Sequence, residues 1–220
     1  MVDRRRQQLF TAAGVILALC LLAAGPAAVA KKKKPKPSVV TASQTVNAAI
    51  PDGTATTNGL LTQTMNLGGK KLKGAEIRDV NVTLQTTGSG ANAATQISAS
   101  LTAPNGATTW PIGIGLGNGP NGLGGQSIGP LTLDDESSMR LVPTALGVQT
   151  SNALPPPYAG TAQPNCFFAS GSCTLSVLDG GPVRGAWTLR AYDVSNAGGL
   201  TSVLNAWSVN VRYGKAYRTK

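Results

Sequence analysis

The chain has no histidine, and that absence removes most hydrolytic chemistry. Ser-His-Asp and Cys-His arrangements need an imidazole base, and the Ser-x-x-Lys motif that replaces it in some acyl-transfer enzymes does not occur. Acidic residues are scarce as well. There are 9 among 220 residues, and three of them are the contiguous Asp134, Asp135 and Glu136. No separated carboxylate pair of the kind that cleaves glycosides stands out. Cysteine is limited to three residues. No apolar run after the first thirty residues approaches the roughly 20 residues of a membrane span. The chain beyond that point also lacks sustained helical periodicity and any internal repeat of fixed period.

What is present begins with a leader. Arg4, Arg5 and Arg6 precede an apolar run from Leu9 to Ala24, and Ala28-Val29-Ala30 supplies a small-x-small cleavage site. Residues 1–30 therefore read as a secretory signal peptide. The rival is an uncleaved anchor, for which the apolar run is short. Cys20 follows Leu19 rather than a small residue, so it leaves with the leader instead of carrying a lipid. The net charge of +10 sits largely outside the folded part. Eight of the 19 basic residues lie in the leader and in Lys31-Lys32-Lys33-Lys34-Pro35-Lys36, leaving 11 against 8 acidic residues from Pro37 onward. Residues 31–40 read as a basic Lys/Pro linker. It is either a solvated, self-repelling spacer or a tether to anionic envelope polymers. Nucleic acid is not a partner, because no basic face with aromatic or motif support is visible. Residues 214–220 form a basic tail.

Cys166 and Cys173, separated by six residues, remain after cleavage. In an exported chain an even pair reads as a disulfide. Two thiolates without a nearby His do not make a zinc site, and the spacing is not Cys-x-x-Cys.

From residue 41 short β-type runs alternate with turn residues. Strands are expected at Thr41–Val46, Val80–Leu84 with Lys73–Ile77 leading into it, Gln96–Thr102, Thr108–Ile112, Leu131–Leu133, Met139–Val142, Thr174–Val177, Gly185–Asp193 and Ala206–Val211. Pro104-Asn105-Gly106 is a tight turn, and the Gly-rich residues 113–130 read as a long loop that cannot hold a strand. The pattern implies an all-β, single-domain antiparallel β-sandwich of jelly-roll type over residues 41–213. Trp187 with Leu189, and Trp207 with Val209 and Val211, share strand faces. They suit a core in which the two Trp strands pair as a hairpin, or alternatively a sugar-stacking platform.

Several short motifs recur in a characteristic order. They are Pro104-Asn105-Gly106-Ala107-Thr108, Leu133-Asp134-Asp135-Glu136, Gly185 to Asp193 with Trp187, Gly199-Leu200, and Trp207 to Val211. Over roughly residues 43–212 this order resembles the P domain (Homo B domain) that follows the subtilisin-like catalytic domain of proprotein convertases. Here it stands alone, without that catalytic domain. The sequence departs from the family pattern at Thr95-Gln96 and at Asn196-Ala197, where the family has Asp. It also lacks the family's His, and residues 161–173 look like an insertion.

The resemblance implies a secreted, extracellular, non-catalytic module that engages or stabilises a protein partner in trans. It also implies a link to serine endopeptidase activity and proteolysis, since in convertases this module supports the catalytic domain's folding, stability and calcium or pH response. A jelly-roll binder of glycan or cell wall is the alternative. Asp134, Asp135, Glu136 and Asp193 are candidate calcium ligands, because hard cations take clustered carboxylates; an exposed acidic turn is the alternative. No other cofactor is expected. The partner is a protein or an envelope polymer, and the chain itself is expected to be a monomer.

Overall fold

The computed structural model describes residues 37–54, 56–89, 96–112, 127–141, 154, 158–164, 172–193 and 201–215. These lie within one compact unit, Lys36–Lys220. Among the described residues nine strands make two sheets. The first contains β1 (Ser38–Ile50), β3 (Ala75–Gly88), β6 (Ser127–Leu133), β7 (Gly160–Ala162) and β9 (Ser202–Lys215) in the order β1-β9-β3-β6-β7. The second contains β2 (Gly59–Leu67), β4 (Ile97–Thr102), β5 (Thr108–Ile112) and β8 (Gly185–Asp193) in the order β2-β8-β4-β5. Every pair is antiparallel except β6 with β7. The chain thus nests its pairings: β1 on β9, β2 on β8, β3 on β6, β4 on β5. That is the order of a jelly roll.

Period-two alternation sets which side chains meet. Trp187, Leu189 and Ala191 point inward from β8, while Leu204, Trp207, Val209 and Val211 point inward from β9. Ile77, Val80, Val82 and Leu84 of β3 join them. Both Trp are core residues. Trp187 donates Nε1–H to the Val183 carbonyl at 3.0 Å, and Trp207 donates to Gln44 Oε1 at 3.1 Å. Each buried indole thereby finds its acceptor. The expected hairpin does not form. β8 pairs with β2 and β4, and β9 pairs with β1 and β3, so the two Trp come from opposite sheets.

Four local expectations need correction. β2 was absent from the expected strands. Its inward positions include Gln63 and its outward ones include Leu60, which blurs the alternation. β6 begins four residues earlier than expected, inside the Gly-rich segment. There Gly129, at φ 124°, faces a bulge of β3 so closely that a Cβ would lie 2.9 Å from Gln85 Cα and 2.9 Å from the Leu84 carbonyl oxygen. Glycine here permits a strand rather than preventing one. Of Met139–Val142, the described Met139–Leu141 give only an isolated bridge, Arg140 to Gln163, and Val142 lies outside the described residues. Thr174–Val177 is not a strand either: Leu175–Leu178 is a 3-10 helix. The Pro155–Pro157 break, Cys166 and the Asn196–Leu200 turn lie outside the described residues.

Candidate functional site

The acidic segment after β6 is tied into the fold. Asp134 Oδ1 accepts the Glu136 N–H at 2.9 Å, and its carbonyl accepts the Ser137 N–H at 3.2 Å. This local turn is of the kind Asp favours. Asp135 reaches across to the 3-10 helix: its two carboxylate oxygens accept the N–H groups of Leu175 at 3.0 Å and Ser176 at 2.7 Å. Charge-assisted bonds of this sort satisfy donors that a helix start leaves open.

Two further carboxylates stand nearby. Asp79 pairs with Arg212 at 3.5 Å. Asp179 follows the 3-10 helix, and its carboxyl is raised above the ordinary value by burial first, then by repulsion from Asp79 and Asp135. Glu136 is raised as well, chiefly by a hydrogen bond with the Asp134 side chain.

Asp193 is not among them. It ends β8 opposite Gly59 and Ile97, buried at 1 % exposure. The acidic segment is joined, through the 3-10 helix and Val183, to the Trp187 end of the same strand. Gly185 and Asp193 are eight residues apart, about 26 Å at strand rise. The four candidate calcium ligands therefore do not converge. Among the described residues, no group of three or more His, Cys, Asp or Glu is placed to hold a metal ion. Cys173 is buried and disulfide-bonded. Its neighbours Ser172 and Thr174 are held on β5 through their carbonyls by the Thr109 hydroxyl, at 3.2 and 2.9 Å.

With Trp187 and Trp207 in the core, neither serves as a ligand platform. The third Trp lies outside the core. Trp110 on β5 stacks on Tyr192 of β8, with ring centroids 5.2 Å apart and planes at 29°. Both are half-buried on the outer face of the second sheet. Leu60, 44 % exposed, lies opposite Tyr192. The alternation in β8 already sends Thr188, Arg190 and Tyr192 outward, so that much was readable. The position of Trp110 depends on the β4–β5 pairing and carried no signal of its own.

The other unusual surface is an edge. Among the described residues, β1 has β9 as its one neighbour in the sheet. Its thirteen residues include no charge. Across the sandwich lies β2, also an edge strand. Between them Val40, Ala42, Val46, Leu61 and Met65 are only partly buried against the core. Gln44 bridges the two edges through Gln63 at 3.3 Å.

No family model matches the chain, and no curated protein matches it. Among solved structures, it is similar to the serine protease of Aeromonas sobria in complex with its chaperone, at 14 % identity and a TM-score of 0.39 over 90 % of this chain and 30 % of that one. A structure of the Aeromonas sobria serine protease gives 14 % identity and a TM-score of 0.39, over 84 % and 29 % of the two chains. This chain spans less than a third of either. Likeness at that level bears on neither fold nor function here.

Proposed function

We propose that the chain is a secreted, non-catalytic module of the P domain type, and that it works by binding another polypeptide in trans. The observation that supports this most is the β1 edge. Among the described residues, this thirteen-residue strand presents an unpaired outer edge with no charged side chain to block it, above a seam of half-buried apolar side chains shared with β2. Proteins normally blunt long edges with charges, prolines or covering elements. An edge left open, with apolar positions alternating along it, suits an extended partner segment that adds as a strand. The carboxylates are otherwise engaged. Asp135 holds the 3-10 helix and Asp79 pairs with Arg212.

The test places a photo-crosslinking residue at Val39, which is exposed on β1, and exposes the mature chain to its own culture medium and envelope. The same polypeptide should be crosslinked from position 39 and retained by the unmodified chain. It should be lost from a Val40→Lys, Ala42→Lys double variant whose melting temperature is kept. Retention that ignores the β1 substitutions, or no polypeptide crosslinked from position 39, overturns the proposal.

A further inference from the structure

The outer face of the second sheet, away from the β1 edge, carries a distinct group of side chains. At its centre is Arg190, exposed, with no ion pair or hydrogen bond among the described residues. It is the one cation in β2, β4, β5 and β8, and the one carboxylate in those strands, Asp193, points inward and is buried. Ser100 is in register with Arg190 across β4, outward by alternation yet 1 % exposed, and its hydroxyl has no hydrogen-bond partner among the described residues. Thr62 is in register with Arg190 on the other side. Two residues along β8, about 6.7 Å away on the same face, Tyr192 stacks with Trp110 and faces exposed Leu60.

An unpaired guanidinium without a competing carboxylate selects an anion, and its planar fork suits a carboxylate. Stacked aromatic rings beside it offer a flat apolar surface. Threonine hydroxyls surround the pair, in hydrogen-bonded rungs at Thr64–Thr188 (3.2 Å) and Thr102–Thr108 (2.9 Å). We propose that this face binds a carboxylated saccharide chain. Arg190 takes the carboxylate, Trp110 and Tyr192 take the apolar face of a sugar ring, and the Thr62 hydroxyl meets ring hydroxyls. The charge match sets the occupant. A neutral glycan leaves Arg190 unanswered. An acidic peptide has one cation to bind and no pocket for its side chains on a flat sheet.

The test uses the mature chain with three probes: tetragalacturonate, its fully methyl-esterified form, and poly-L-glutamate. Trp110 is the half-exposed tryptophan beside two buried ones, so its fluorescence reports occupancy. Tetragalacturonate should quench it saturably, and the ester should bind at least tenfold more weakly. Arg190→Gln should erase that preference without moving the melting temperature, since the side chain is exposed and unpaired. Tyr192→Ala should weaken both sugars. The proposal is overturned by equal binding of acid and ester, by no binding of the acid, by an Arg190→Gln variant that keeps the preference, or by poly-L-glutamate binding as tightly as the acid. The measurement needs no polypeptide partner, so its outcome is independent of the β1 edge.

Discussion

Asp135 and Asp179 stand close enough to repel one another, yet they have opposite effects on the fold. Asp135 gives both oxygens to backbone donors forty residues away. Nothing near Asp135 in sequence announces that, which is why a run of three acidic residues reads as a cation site until the chain is folded. Asp179 is placed among carboxylates, and its raised carboxyl means that the folded chain holds a proton more readily than the unfolded one, whose ordinary value is 3.8. The stability it contributes is therefore full in acid and is lost as pH rises from about that value through the raised one. Asp179→Asn should raise the melting temperature at pH 7 by about 1–2 °C, because screened surface charges contribute only fractions of a kcal/mol. The gain should vanish at pH 3. Equal gains at both pH values would show that charge is not the cause.

At the level of strands, alternation was a good guide wherever the inner face was uniformly apolar. β3, β4, β8 and β9 were legible for that reason; the Pro104–Gly106 turn was legible from its Asn-Gly pair, and Asn105 Oδ1 accepts the Ala107 N–H at 3.1 Å. The failures have local causes. β2 carries an inward Gln63 that bonds Gln44, a partner nineteen residues away. The 3-10 helix looks like a strand because its Leu175 and Val177 alternate with polar residues, yet it is the carboxylate of Asp135 that fixes its start. β6 was hidden by glycine. Gly129→Ala tests the last point: the added methyl has no room against β3 and the backbone is in a region that side chains disfavour. It should cost about 2–4 kcal/mol, read as a lowered urea midpoint. An unchanged midpoint would mean that the bulge of β3 yields freely. The candidate site was less legible than the elements. Arg190 and Tyr192 were readable as outward, but their meeting with Trp110 and Ser100 depends on the order β8-β4-β5, which alternation does not encode.

For the molecule as a whole, the two sheets share one core, and Trp187 and Trp207 bring the same interior a reporter from each side. Unfolding of the one chain, followed by tryptophan fluorescence and by far-ultraviolet circular dichroism, should give coincident urea midpoints. Separated midpoints would show that the sheets melt independently. The nesting of strands has a consequence during synthesis. β9 lies between β1 and β3 in the first sheet, but it is made after every other strand. Until it emerges, β1 and β3 each lack the neighbour that sits between them. The nascent chain therefore carries two unmatched strand edges, even though pairs that do not need β9, such as β4 with β5 and β3 with β6, can form. Such intermediates are open to wrong pairing, and the sandwich closes only when its last strand slots into the middle of a sheet begun by its first.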